Sequence, residues 1–382
     1  MKPFQSITTV CVTYPGGQKL DAVAVEYEKP VSAGELSTGS YAVEGRTVVG
    51  VFPAASTDPA DRSDMGRYVI VKLSPEDEAA DLMYFDKPGR DGRFVRRDPV
   101  VSIRQVRAVG GLPAWDAPAG ATADRELIVE KFTEHVFAGE KYARPLPYNL
   151  YLPEGYDPNG SYPLVMFIHD LGPLCENVRN TLRQGVGATV WATPEVQDKH
   201  KCIVLAPQYQ APPFRDPSEH MVEATFDLVD YICENYAVDK KRVYATGQSM
   251  GTITEIRMSI ERPDFFTALM LVAGQYEPEP MLAMKDVKMF IIVSRGDPRA
   301  YDGMNASLAL MSGAGKKVIR ADWDQDGGVV PEEQVTELRE REGDIRYAVL
   351  KTEKRDFSCH MDTWKVAYGI EGVRDWLFEQ SK

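Results

Sequence analysis

Gly247-Gln248-Ser249-Met250-Gly251 follows the short apolar run Arg242-Val243-Tyr244-Ala245-Thr246 and leads into a helix-compatible segment from Thr252 to about Glu261, closed by Arg262-Pro263. No other stretch constrains the fold as tightly. Gly-x-Ser-x-Gly between a strand and a helix demands a turn so sharp that the serine backbone is strained and its neighbours must be small. Glycines two residues before and after the serine relieve that crowding. Two glycines and a serine at fixed places arise by chance about once in 3,000 positions at roughly 7% usage each. The weight of the motif therefore rests on its setting, and strand–turn–helix is the setting in which the serine is a nucleophile.

The rest of the chain divides into two parts of different rhythm. Its 382 residues allow two domains or one large one. From Thr8 to about Ile103, Val10–Tyr14, Leu20–Tyr27, Arg46–Phe52, Tyr68–Leu73 and Val100–Val106 read as short strands between Pro-Gly-Gly, Asp-Arg-Ser-Asp and Pro-Gly-Arg-Asp-Gly turns. Short strands separated by turn signals predict a small all-β sandwich over 1–108. The Gly/Pro/Ala-rich stretch Gly110–Ala121 reads as a linker, placed at 109–124. From 125 to 382 the expectation is an α/β domain with a doubly wound, mostly parallel sheet. Leu164–Ile168, Cys202–Ala206, Ala268–Val272 and Met289–Val293 are continuous apolar runs of the kind buried on both faces of a parallel sheet. Helical patterns such as Pro217–Tyr236 alternate with them.

Composition narrows the function classes. A formal net charge of -13 argues against a nucleic-acid-binding surface and against attraction to anionic membranes. The five cysteines, Cys11, Cys175, Cys202, Cys233 and Cys359, are scattered, without Cys-x-x-Cys spacing, which argues against a disulfide framework or a zinc site and suits a reducing compartment. Residues 1–6 carry no apolar signal region, so a cytoplasmic location is expected, although a secreted chain trimmed of its signal would read the same.

A serine hydroxyl needs a base within hydrogen-bond reach, and the base needs an orienting acid. In parallel α/β sheets such groups sit at the carboxyl ends of strands, and on a Gly-x-Ser-x-Gly scaffold they follow the serine in the order acid, then histidine. Asp297, just past the apolar run Met289–Val293, is the candidate acid, with Asp302 as its nearest rival. Of the five histidines, His135, His169, His200 and His220 precede the serine. His360 alone follows Asp297, after the probable strand Ile345–Leu350 and before a helix over Val366–Phe378. It is expected in a loop at the carboxyl end of the sheet. Two backbone N–H groups are expected to hold a developing oxyanion: that of Met250, immediately after the nucleophile, and that of Leu171, in the loop after Leu164–Ile168. Tyr209, Phe214, Tyr276 and Trp364 are candidates to line a substrate pocket.

Residues 126–382 resemble the α/β-hydrolase fold in its carboxylesterase and polyester-depolymerase or feruloyl-esterase-like branch. The matching pieces are Tyr148–Tyr156, Phe167-Ile168-His169-Asp170, Ala206-Pro207-Gln208, Gly247–Gly251, Gly296-Asp297, and His360 with Trp364. The front part, through Lys19–Val31 and Gly66–Leu73, resembles the immunoglobulin-like domain that precedes the hydrolase in some members. The resemblance implies a serine carboxylesterase acting on a small-molecule ester through a Ser-His-Asp triad and an acyl-enzyme, with no organic cofactor. It also implies a front domain that helps form a homo-oligomer or shapes the active site. A serine peptidase on the same fold, or a catalytically inactive binding module, are the alternatives. Asp170 departs from the pattern, because relatives commonly carry glycine after that histidine.

A second motif points elsewhere. Asp322-x-Asp324-x-Asp326-Gly327 with Glu333 matches the calcium-loop pattern at every specified position. Carboxylates at positions one, three, five and twelve and glycine at six are what such a site requires. Against this, Lys317–Ala321 reads as a strand where a calcium hand has its entering helix. The alternative is an acidic turn opening a helix at Pro331-Glu332-Glu333.

Overall fold

A computed structural model describes residues 4–87 and 92–382. Two compact units emerge, one holding the residues up to Asp86 together with Phe94–Lys131, the other Phe132–Lys382.

The first unit is all-β. Its strands are β1 (Ser6–Tyr14), β2 (Gly17–Ser32), β3 (Tyr41–Val43), β4 (Val48–Ala54), β5 (Met65–Leu73), β6 (Met83–Phe85), β7 (Phe94–Arg96), β8 (Ile103–Gln105), β9 (Trp115–Ala119) and β10 (Ala123–Glu126). They form a five-stranded sheet ordered β10-β1-β2-β5-β4, a three-stranded sheet β3-β8-β9 and the two-stranded ribbon β6-β7. Alternation along the strands decides what each face buries. Val23, Val25, Val69 and Val71 join Tyr41, Ile103 and Trp115 of the small sheet in one core, which makes the unit a sandwich. Ala22 and Ala24, on the other face of β2, pack with Val10, Ala54 and Ile70. The segment expected as a linker belongs to this sandwich. Val109 and Leu112 exchange both backbone hydrogen bonds across Gly110 and Gly111, whose φ values of 62° and 74° make a tight turn. β9 then pairs with β8 and β10 runs parallel to β1. Trp115 explains why: it is buried and its Nε1 donates to Gln105 Oε1 at 2.9 Å.

The second unit is a nine-stranded sheet covered on both faces. Its strands are β11 (Thr133–Phe137), β12 (Leu146–Tyr151), β13 (Tyr162–Ile168), β14 (Ile203–Pro207), β15 (Val238–Gln248), β16 (Ala268–Val272), β17 (Met289–Ser294), β18 (Val318–Trp323) and β19 (Ile345–Leu350). The order is β11-β12-β14-β13-β15-β16-β17-β19-β18, with the β11–β12 and β12–β14 pairs antiparallel and the remaining pairs parallel. The chain steps from β13 to β14 on one side, then returns to place β15 on the other. The strand order therefore reverses at β13 and β15, which opens a crevice at their carboxyl ends.

Helices α1 (Asn180–Arg183), α2 (Val186–Thr189) and α3 (Pro194–Lys199) follow β13, α4 (Met221–Asn235) follows β14, and α5 (Met250–Glu261) follows β15. Beyond them come α6 (Pro278–Met281), α7 (Ala300–Gly313), α8 (Glu332–Glu340), α9 (Phe357–Ala367) and α10 (Glu371–Phe378). Leu164, Met166 and Ile168 of β13 face a core shared with Phe226 of α4, Ile256 of α5 and Met304 of α7. Phe167, Tyr244 and Phe290 point the other way and meet Tyr368, Phe378 and Trp376 edge-on. Burying side chains of this size is worth about 1.5–3 kcal/mol each, so the apolar runs hold the crevice on a rigid floor. No helix among the described residues is long and apolar enough to cross a membrane.

Candidate active site

Ser249 sits between β15 and α5 at the crevice, with φ 52° and ψ -109°, a backbone conformation that L-residues rarely adopt. Its N–H is tied to Val272 O at 3.0 Å. The flanking glycines are required by contact. A Cβ on Gly251 would lie 2.0 Å from Ile168 O, and one on Gly247 would lie 2.9 Å from the same oxygen and 2.8 Å from Gly251 C. The end of β13 thus presses against both sides of the turn.

His360 reaches Ser249 from above. Its Nε2 stands 2.8 Å from Ser249 Oγ, while Nδ1 is hydrogen-bonded to Asp297 Oδ2. A carboxylate only accepts, so Nδ1 carries the proton and Nε2 is left to accept from the serine hydroxyl. Asp297 is almost wholly buried, and its other oxygen accepts from Arg299 N at 3.0 Å and Ala300 N at 3.1 Å, at the start of α7. Three donors thus hold the carboxylate. Asp302 is not part of this chain of bonds; it is exposed and pairs with Arg355. The expected loop around His360 is instead the first turn of α9, capped by Asp356, whose Oδ1 accepts from Ser358 N at 2.8 Å. The expected single helix Val366–Phe378 divides into the end of α9 and α10. Phe357, 63% exposed, stacks on the His360 ring at 5.3 Å, and Trp364 meets it edge-on at 5.1 Å.

The loop after β13 is built from bonds that no local pattern reveals. His169 is fully buried, and burial holds its pKa below the usual histidine range. Tyr209 N donates to its Nε2 at 3.0 Å, so that nitrogen has no hydrogen and Nδ1–H donates to Asp170 O at 2.6 Å. The Asp170 carboxylate accepts from Gly172 N at 2.7 Å and from Gln248 Nε2 at 2.8 Å. Leu171 lies between these fixed points, 44% exposed. Met250 opens α5 directly after Ser249 and is buried. Of the other aromatic candidates, Tyr209 is buried with its hydroxyl 2.8 Å from Thr225 Oγ1, a packing role, and Phe214 and Tyr276 pack partly buried against the main core.

The expected calcium carboxylates are not gathered. Asp322 lies within β18 and is paired with Arg295 at 2.7 Å and Arg320 at 3.0 Å; Asp324 is paired with Lys351 at 2.9 Å. Asp326 and Val329 exchange both backbone hydrogen bonds across Gly327 and Gly328, with φ 56° and 86°, which is a two-residue hairpin turn. Glu333 is in the first turn of α8. Among the described residues no group of three or more His, Cys, Asp or Glu side chains could hold a metal ion. The motif's spacing is satisfied by a turn in which Asp322 and Asp324 already have cationic partners.

The mostly parallel sheet, preceded in the chain by an immunoglobulin-like all-β unit, together with the family matches that follow, is that of an ester-hydrolysing enzyme of the α/β-hydrolase class. Residues 139–341 match the family model described as "Putative esterase", and residues 6–112 match "Esterase Ig-like N-terminal domain". The chain belongs to that esterase family. A protein of Nocardia uniformis subsp. tsuyamanensis described as "Putative esterase NocK" is 27% identical over 245 residues, covering 57% of this chain and 68% of its own. The crystal structure of a thermostable esterase is similar in fold, with a TM-score of 0.82 at 23% identity over 99% of this chain and 100% of that one.

Proposed function

We propose that this enzyme cleaves carboxylic esters with Ser249 as nucleophile, His360 as general base and then general acid, and Asp297 as the group that orients and stabilises the imidazolium. The observation that carries this reading is the unbroken chain from Ser249 Oγ through His360 to a buried, three-donor Asp297. His360 Nε2 takes the serine proton as Oγ attacks the ester carbonyl. The N–H groups of Met250 and Leu171 receive the oxyanion. The tetrahedral adduct collapses as His360 returns its proton to the leaving alkoxide, giving alcohol and acyl-enzyme. Water, deprotonated by His360, then attacks the acyl carbonyl and releases the acid and Ser249.

A base is worth roughly 10²–10⁴-fold and an oxyanion donor about 10²–10³-fold. The exposed Leu171 and Phe357 beside these groups offer apolar contact to the substrate. Ser249→Ala is therefore expected to abolish turnover of p-nitrophenyl butyrate and labelling by a fluorophosphonate probe. A variant that kept most of either would remove Ser249 from the mechanism.

A further inference from the structure

The departure at Asp170 has a structural role that the ester-cleaving machinery alone does not explain. The Leu171 N–H belongs to the peptide unit whose carbonyl is Asp170 O. That oxygen is drawn to His169 Nδ1–H at 2.6 Å. A trans peptide is planar, with N–H and C=O pointing to opposite sides. Fixing the carbonyl on His169 therefore directs the Leu171 N–H away from His169. One bond leaves the unit free to swing about it, and the Asp170 side chain removes that freedom. Its Oδ1 accepts from Gly172 N at 2.7 Å, bracketing Leu171, and its Oδ2 accepts from Gln248 Nε2 at 2.8 Å. Gln248 is the residue before the nucleophile and is buried, 2% exposed. Its amide also lies 3.3 Å from Gln184 Oε1.

We propose that Asp170 and Gln248 form a clamp that holds the loop donor in register with the nucleophile, making Asp170 a positioning residue for oxyanion stabilisation. The proposal rests on the reading of Ser249 as nucleophile and Leu171 N–H as oxyanion donor. The two donors of an oxyanion hole sit on separate segments, and their spacing has to match an oxygen that exists only in the transition state. Glycine at position 170 has no side chain to couple the segments. Here Gln248 moves with Ser249 through the backbone, and Asp170 moves with Leu171, so their hydrogen bond couples the two donors directly. The two bonds to the Asp170 carboxylate come from a backbone N–H and a side-chain amide. Both donors are neutral, so the clamp is a matter of direction rather than of net charge.

Direction without charge makes a distinctive prediction. In Asp170→Asn the side-chain oxygen still accepts from Gly172 N, and the new amide meets Gln248. Rotating the Gln248 amide presents Oε1 to that amide, and Gln184 can follow, because its Nε2 is buried without a partner and loses nothing by turning. The clamp re-forms with its polarity reversed. Asp170→Ala has no such recourse, nor does Gln248→Leu.

The test compares D170A, D170N, Q248L and the D170A/Q248L double variant on p-nitrophenyl butyrate, with inhibition by a trifluoromethyl ketone that occupies the oxyanion position. D170A and Q248L are expected to lower kcat by about 10- to 100-fold, the scale of a displaced catalytic donor, with KM little changed. Affinity for the ketone falls in parallel, D170N restores most of kcat, and the double variant is no worse than either single one. Thermal midpoints separate this from unfolding, and Q248L carries the test should D170A fail to fold. Full kcat in D170A, losses that multiply in the double variant, or ketone affinity that stays put while kcat drops would each overturn the clamp. Loss of S249A activity is independent of all of these, so the triad can stand while the clamp fails.

Discussion

Gly251→Ala isolates the steric demand that the serine turn makes on the sheet. The added Cβ would fall 2.0 Å from Ile168 O and 2.7 Å from Ile168 C. A tolerable carbon–oxygen contact begins near 3.3 Å, so the end of β13 and the start of α5 have to part by about 1.3 Å. Overpacking a core costs about 1–3 kcal/mol when side chains can yield. Here the obstacle is backbone in the middle of a parallel sheet, which places the cost at about 3 kcal/mol. With a urea dependence near 3 kcal/mol per molar, the unfolding midpoint drops by about 1 M. The displaced segment carries His169 and Asp170, so the proposed loop donor, Leu171 N–H, moves with it. A shift of about 1 Å costs on the order of 100-fold in rate. Urea titration and p-nitrophenyl butyrate kinetics read the two effects on one sample. Gly313→Ala is the control: no atom lies within 4 Å of its Cβ position, at the end of α7. It should gain up to about 1 kcal/mol by helix propensity with kcat unchanged. A Gly251→Ala enzyme with both the wild-type midpoint and the wild-type kcat would refute the steric argument for the motif.

Asp297→Asn keeps an acceptor for Arg299 N and Ala300 N but removes the charge that fixes the His360 tautomer; kcat should fall by about 10³–10⁴-fold with little change in KM, measured by steady-state kinetics. Glu255, on α5, is fully buried with both carboxyl oxygens unpartnered, and burial raises its pKa well above the ordinary 4.5. The folded protein then retains a proton that the unfolded chain releases above about pH 4.5, so this group's contribution to stability declines as pH rises, by about 1.4 kcal/mol per unit, until the folded carboxyl ionises. Glu255→Gln removes that decline, and urea midpoints taken from pH 5 to 8 should show a shallower fall or a steeper rise than wild type; parallel curves would mean that Glu255 titrates alike in both states.

What could be read from the chain, and what could not, separates along the range of the forces involved. Leu164–Ile168 and Met289–Val293 announce themselves because a strand buried on both faces has to be apolar throughout. His360, the one histidine that chain order left eligible, is hydrogen-bonded to both Ser249 and Asp297. A short pattern can serve two structures. Asp326-Gly327-Gly328 fits a calcium-loop template and also the two-residue hairpin, and Arg295 and Lys351, which pair with Asp322 and Asp324, arrive from distant segments. Gly110-Gly111 looks like a linker and is a turn, because Trp115 finds a buried acceptor ten residues earlier on Gln105. Asp356 caps α9 ahead of His360, so the segment expected as a loop is the first turn of a helix.

The loop after β13 shows most clearly what lies beyond a linear reading. The direction of the Leu171 N–H follows from the proton on His169 Nδ1, and that proton follows from Tyr209 N occupying Nε2, forty residues away in sequence. Burial keeps the ring neutral, since a second proton would face the Tyr209 N–H with no acceptor left to receive it. One uncharged imidazole thereby ties the segment after β14 to the segment after β13, while Asp170 and Gln248 tie that segment to the turn that carries Ser249. None of these residues touches the reacting atoms in the proposed mechanism, and their partners lie far apart in sequence, which is why a linear search for reactive groups does not assemble them. The geometry that such groups need is set by these hydrogen bonds, each with its sense of donation fixed by the chemistry of its partners.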